Sequence, residues 1–405
     1  MPVEIIIQVA VFTGLVLALA ILVMVARQQF EPSGSVEINL NGRRALEVNA
    51  GSKLLWALAE HGIYLPAVCG GRGTCGQCRV TVQSGGGTLL PIEEAHIDAA
   101  EARAGMRLAC MLKVRKPMVI SVPESILDIR RSICVVESNH SIATYLKELV
   151  LRPPEPVPFK AGDYVLVEAP PHRIAFTDFE IDGQYRERWR DSGFFDFESV
   201  VREPVTRAYS LANPPQESDR LVLIVRIALP PPTAPAGTPP GQASSFIFSL
   251  KSGDEVAVRG PFGEFHLQED DREIVFIAGG AGVAPMRSMI LDQLMAGSRR
   301  RMSFWYGARD LHELCYEDEF EKTAEQYDNF QYHVALSDPE SDSGWQGHTG
   351  FIHAIVHEFY LQNHPAPQEI EYYLCGPPLM SAAVMQMLEQ LGVPEKNVFY
   401  DDFGA

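Results

Sequence analysis

The chain has 405 residues, 46% of them hydrophobic, enough for roughly two to four domains. Acidic residues outnumber basic ones by 52 to 34, a net charge of −18, which argues against nucleic acid as a partner because phosphate binding needs a basic footprint. Seven cysteines, an odd number with three crowded into one loop, speak against a secreted disulfide framework and for a reducing compartment with a metal site.

Ile5 to Ala26 carries no charge. As a helix these residues reach about 33 Å, enough for the hydrocarbon core. Glu4 before the run and Arg27 after it do not fit a signal peptide, which starts basic and ends at a cleavage site. Residues 3–27 are therefore expected to form a single transmembrane helix. The Lys/Arg bias puts the C-terminal side of this helix in the cytoplasm. Residues 28–35 read as a polar tether.

Residues 36–128 come next as a first domain. "VEINLNGRRALEVNAG" alternates as two strands about Asn41-Gly42. In "SKLLWALAEHG" Ser52 is the expected N-cap and Gly62 the stop. Cys69, Cys75, Cys78 and Cys110 are spaced C-x5-C-x2-C-x31-C. Three ligands on a tight loop with one distant is the pattern of a 2Fe-2S ferredoxin. Gly70, Gly71, Gly73 and Gly76 let backbone N–H groups approach a negatively charged cluster. A zinc ribbon is the alternative, but it uses two cysteine knuckles and only Cys75 and Cys78 make one. Buried, inert thiol is the default for Cys134 and Cys315.

Residues 129–270 are strand-rich, with Pro and Gly punctuation, and read as a small antiparallel barrel. Within it lie "RAYSLAN", Arg207 to Asn213, and "GQASSFIFSLKSGD", which places Gly241 and Ser244 just before an apolar helix. A helix start with small residues suits an anion, although it is also an ordinary cap. The stretch His172 to Glu203, rich in Phe, Tyr and Trp, is long for a connection inside a barrel. Two readings stand: a flap packed on its own barrel, or a surface whose aromatics dock on other subunits.

Residues 271–405 alternate strand and helix, the pattern of a doubly wound parallel sheet. "REIVFIAGGAGVAPMRSMILDQL" reads as a strand (273–278), a Gly-rich turn with Gly280 and Gly282, and a helix starting near Pro285. The turns at Gly280 and Cys375 fall at strand ends, where such sheets bind ligands. His353 and His357 stand four apart but lack an H-E-x-x-H motif. Arg299 to Arg301 could meet a phosphate or simply complement a helix C-terminus. Arg309 after "YGA" could in principle meet a 2′-phosphate.

The last two modules resemble the ferredoxin-NADP reductase superfamily. The whole chain resembles the F subunits of the bacterial sodium-translocating NADH:quinone oxidoreductases. "RAYSLANPP", "PPGQASSFIFSLKSGD", "GPFGEFHL", "AGGAGVAPMRS", "YYLCGPPLM" and "DDFGA" carry the match. The resemblance implies an α+β and α/β multidomain chain: transmembrane helix, 2Fe-2S ferredoxin (β-grasp), FAD-binding barrel and NADH-binding domain. It implies the cluster on Cys69, Cys75, Cys78 and Cys110. Arg207, Tyr209 and Ser210 would touch FAD, and Gly241, Gln242, Ala243 and Ser244 its pyrophosphate. Gly280, Gly282, Pro285, Cys375 and Gly376 would line the NADH site, and Phe403 would cover the flavin. Ser210, Cys375 and Phe403 are the implied catalytic positions. Hydride would pass from NADH to FAD, then single electrons to the cluster, other membrane subunits and indirectly quinone, with the protein in the bacterial inner membrane. A reductase feeding an oxygenase and a non-catalytic iron–sulfur scaffold or electron carrier are the alternatives.

Overall fold

A computed structural model describes residues 3–30, 34–127, 129–231, 233–235, 237–340 and 344–401. The N-terminal helix runs Val3–Phe30, past Arg27 into the expected tether. Every side chain from Val11 to Leu22 along it is exposed. Among the described residues no helix is long and apolar enough to cross a membrane, so the expected span is not established by the structure. The chain separates into two compact units, Met1–Pro66 with Gly71–Asp128, and Ala67–Gly70 with Ile129–Ala405.

The first unit holds strands β1 (Ser35–Leu40), β2 (Arg44–Asn49), β3 (Arg79–Ser84), β4 (Met106–Leu108) and β5 (Met118–Ser121). They form one sheet in the order β2-β1-β5-β3-β4. β1 and β5 run parallel and the other neighbours antiparallel. The β1–β2 reversal rests on Asn41 and Gly42, at φ 52° and 66°, the left-handed pair that an Asn-Gly hairpin requires. The helix Leu54–Glu60 buries Leu54, Leu55, Ala57 and Leu58. Its N-cap is Lys53, without a side-chain cap, and not Ser52. The Ser52 hydroxyl instead donates back to the Asn49 carbonyl at 2.7 Å, the local competition that makes serine an ambiguous start signal.

In the second unit β6 (Arg130–Ala143), β7 (Leu146–Arg152), β8 (Tyr164–Ala169), β9 (His172–Ala175), β10 (Glu198–Val201), β11 (Val205–Ser210), β12 (Leu221–Arg226) and β13 (Glu255–Phe262) come first. Six of them form an antiparallel sheet, β11-β8-β13-β6-β7-β12. A bridge between Leu211 and Leu223 joins its two ends, which closes the barrel. β9 and β10 pair as a hairpin within the 172–203 insertion. Phe176, Phe179 and Trp189 are at most 2% exposed. Phe179 and Trp189 pack on Phe248 of the helix Gln242–Ser249, with ring centroids 5.6 and 6.0 Å away. Trp189 Nε1 donates to the Thr144 carbonyl at 2.6 Å. The insertion is thus a flap on its own barrel. Phe176, Phe179 and Trp189 sit in this chain's own core, as the flap reading expects.

The last sheet, entirely parallel, has the order β17-β16-β15-β14-β18-β19. Its strands are β14 (Ile274–Gly279), β15 (Met302–Ala308), β16 (Phe330–Leu336), β17 (His348–Thr349), β18 (Glu371–Cys375) and β19 (Val398–Asp401). β14 and β18 are buried at every residue, as expected of strands covered on both faces. The helix after β14 begins at Val283, which puts Pro285 in its first turn, as expected. Proline sits without cost in a first turn, whose N–H groups have no intrahelical partner.

Candidate cofactor sites

The cysteine loop owes its shape to its glycines. Gly70, Gly71, Gly73 and Gly76 all have φ between 67° and 82°, a region that side chains with a Cβ rarely adopt. Cys78 and Cys110 are buried and Cys75 is half-buried. A hydrogen bond with Cys110, then burial, pushes the Cys78 thiol well above its ordinary range, and the charges of Cys110 and Cys75 add to the effect. Cys78 and Cys110 are thus hydrogen-bonded neighbours, and Cys75 is near enough for its charge to act on Cys78. Cys69 is buried and groups with the second unit. Among the described residues no set of three or more His, Cys, Asp or Glu stands ready to hold a metal ion. The donor chemistry nonetheless fits an iron–sulfur centre. Crowded thiols resist ionisation because their charges repel, and a bound cation reverses that balance.

In the barrel, a cavity of about 300 Å³ is lined by Arg207, Tyr209, Ser210 and Gly241 to Ser244. Ala281 and Ala284 also line it, so the turn after β14 reaches the same space. Two lining or neighbouring groups were not anticipated. Arg226, at the end of β12, lies over the Tyr145 ring at 5.3 Å and 3.6 Å from Glu313. Its only sequence signal is one cation closing the apolar run "LVLIVR". Asp401, on the last strand, accepts a hydrogen bond from the buried Ser210 hydroxyl at 3.2 Å. No local pattern joins residues this far apart. Two guanidinium groups and a helix N-terminus converging on one cavity fit the pyrophosphate of FAD.

At the parallel sheet, Gly282 faces the end of β18. A Cβ there would lie 2.0 Å from the Cys375 carbonyl oxygen, and one on Gly376 would lie 3.0 Å from the Gly279 nitrogen. These glycines let β14 and β18 carry their turns into contact. Tyr306 donates to the Gly280 carbonyl at 3.1 Å. Pro285 and Cys375 are buried. Phe403 lies outside the described residues. Burial pushes the Cys134 and Cys315 thiols up to about 11 and about 12, consistent with inert cysteines. Arg300 is not a phosphate ligand. It is buried, pairs with Glu371 at 2.7 Å and donates to the Gln268 carbonyl at 3.0 Å. His353 packs its ring against Phe351.

Three family models match in chain order: a 2Fe-2S iron–sulfur cluster binding domain over 38–115, an oxidoreductase FAD-binding domain over 194–267 and an oxidoreductase NAD-binding domain over 276–386. Together they define the class, an NAD-linked flavin and iron–sulfur oxidoreductase. Among solved structures, the Amycolatopsis cytochrome P450 reductase is 25% identical with a TM-score of 0.63, covering 91% of this chain and 98% of its own. The ferredoxin reductase in carbazole 1,9a-dioxygenase, 22% identical with a TM-score of 0.59 over 91% and 98%, shares the fold. Sequence relatives are much nearer. The F subunit of the Na(+)-translocating NADH-quinone reductase of Neisseria meningitidis is 49% identical over 405 residues, 99% of this chain and all of that one. The Klebsiella pneumoniae protein of the same name is 50% identical over 407 residues, with the same coverage. The chain belongs to the family of Na(+)-translocating NADH-quinone reductase F subunits.

Proposed function

We infer that the chain is the electron-input subunit of a membrane-bound, sodium-translocating NADH:quinone oxidoreductase. The observation that carries this reading is the near-50% identity to F-subunit relatives along the whole chain. When bound, FAD would supply two-electron hydride acceptance from NADH and one-electron release, which a 2Fe-2S cluster, accepting one electron at a time, requires.

The chain's own residues bind and position. Arg207 and Arg226 bring positive charge to the flavin cavity, and Gly241 to Ser244 offer a helix N-terminus to the pyrophosphate. Tyr209 presents its ring to the flavin. Ser210, fixed by Asp401, would offer its hydroxyl to bound flavin. Gly280, Gly282, Pro285, Cys375 and Gly376 form the nicotinamide side, and the packed turns keep water from it. Cys69, Cys75, Cys78 and Cys110 supply the four cluster ligands. The helix Val3–Phe30, apolar and exposed along its described middle, anchors the chain as one span in the bacterial inner membrane. The cofactor domains then lie on the cytoplasmic side. Electrons leave for other membrane subunits and reach quinone through them.

Cys75→Ala tests the order of carriers. The variant is expected to lose cluster absorbance and quinone-linked activity while still reducing ferricyanide with NADH, since hydride transfer needs the flavin alone. Cluster absorbance surviving in the variant would sink the ligand assignment.

A further inference from the structure

The iron–sulfur unit carries a basic groove that the reaction above does not use. An open cavity of about 650 Å³ beside Cys110 is lined by Lys53, Arg107, Lys113, Arg115 and Lys116, and by no carboxylate. Arg107 is already engaged. It is buried and holds the buried Glu93, with Nη2 2.6 Å from Oε2.

The other four cations differ. Lys113, Arg115 and Lys116 are exposed. The ion pairs of this unit among the described residues are Arg43–Glu124, Arg79–Glu101 and Arg107–Glu93, and none includes these four. Lys53 and Lys113 are partners in an isolated antiparallel backbone bridge. That sets two like charges directly opposite, an arrangement that costs stability. Lys53 Nζ lies 3.5 Å from the Gly71 carbonyl, so the groove adjoins the cysteine loop. In sequence the cations follow Cys110 at once, as "CMLKVRK", in a chain whose net charge is −18. Positive charge concentrated against the balance of the chain, at a cluster ligand, suits an anionic partner.

We propose that this groove is the docking surface for the protein that takes electrons from the cluster, and that this acceptor presents an acidic segment to it. The proposal rests on the reading that electrons leave the chain through the cluster. Each encounter passes one electron: the cluster is oxidised by one, the acceptor is reduced by one, and no bond is made or broken. Complementary charge speeds the encounter and fixes the register that brings the acceptor to Cys110.

The test is Lys113→Glu/Arg115→Glu/Lys116→Glu in the assembled complex, in detergent free of anionic lipid. Reduction of flavin and cluster by NADH, read optically and by EPR, is expected at the wild-type rate. Onward transfer, read as quinone reduction, is expected to fall about tenfold or more at low ionic strength. The wild-type rate should itself fall as salt rises, and the variant's should not. An unchanged onward rate, with the cluster still reduced, overturns the groove alone. So does a deficit that appears only with phosphatidylglycerol-containing nanodiscs, which would assign the groove to lipid headgroups. A shifted cluster potential with wild-type salt dependence overturns it too, since the cations would then only tune the cluster. If the triple variant fails to hold its cluster, Lys113→Gln and a salt titration of the wild type decide. A wild-type onward rate that is flat between about 10 and about 200 mM salt overturns the proposal. If NADH never reduces the wild-type cluster, the functional reading fails and the groove proposal falls with it.

Discussion

Two glycine-rich stretches in this chain look alike on paper and do different physical work. In the cysteine loop Gly70, Gly71, Gly73 and Gly76 all sit in the left-handed region. There glycine is needed to turn the backbone. Gly282, in "AGGAGVAP", has an ordinary φ of −62°, yet a Cβ on it would lie 2.0 Å from the Cys375 carbonyl. There glycine is needed to be thin. The first stretch shapes a loop around thiols. The second lets two parallel strands bring their turns together. Composition alone does not separate a conformational requirement from a steric one.

The largest effect should come from Gly282→Ala. The new methyl meets backbone, which cannot rotate away, so we expect a loss of about 3 kcal/mol or more. Thermal unfolding and the rate of flavin reduction by NADH measure it. Gly280→Ala is the contrast. Gly280 has φ 57°, and its nearest neighbour to a new Cβ is Arg226 Nη1 at 3.5 Å. The cost there should be only the left-handed strain, about 1–2 kcal/mol. Equal losses in the two variants would break the distinction.

Gly76→Ala probes the other region, with a smaller effect. Its φ is 69°, and a Cβ would lie 2.9 Å from His96 Cγ and 3.0 Å from His96 Cβ, so His96 must shift as well. A loss of about 2–3 kcal/mol in the iron–sulfur unit is expected, from backbone strain together with the shift of His96. Cluster absorbance should persist, because the cysteines remain. A loss as large as that of Gly282→Ala would mean that space, not dihedral angle, governs this loop as well.

The strands of both units were legible because their signal is local. Alternation about Asn41-Gly42 marks β1 and β2, and the continuous apolar run of β14 marks a strand covered on both faces. The cysteine spacing was legible for the same reason. What was not legible depends on distant partners. Ser52 offers the same hydroxyl to a helix start or to the Asn49 carbonyl, and only the fold chooses. Phe176 and Trp189 are interface residues by type, but Phe248 and Thr144 lie waiting for Trp189 inside the barrel. Arg226 and Asp401 reach the barrel cavity and Ser210 through closure of the barrel and addition of the last strand. A sequence window sees neither.

A pH titration sharpens the comparison from outside the glycines, by asking which region acid weakens first. His333, on β16, stacks on Trp305 with ring centroids 4.0 Å apart. Burial, and then the neighbouring His348, lowers its pKa from 6.5 to about 4. The unfolded chain therefore takes up a proton at this residue near pH 6.5, whereas the folded chain resists until about pH 4. Acidification between these values favours the unfolded state. The sheet that carries the Gly282 turn should thus lose stability as pH falls from 7 to 5, with this histidine as one cause. His333→Gln forfeits the stacking on Trp305, so its Tm should start lower at pH 7. It should then fall less steeply, by about 2–4 °C over the same interval. Parallel Tm curves for variant and wild type would remove His333 from the account of acid lability.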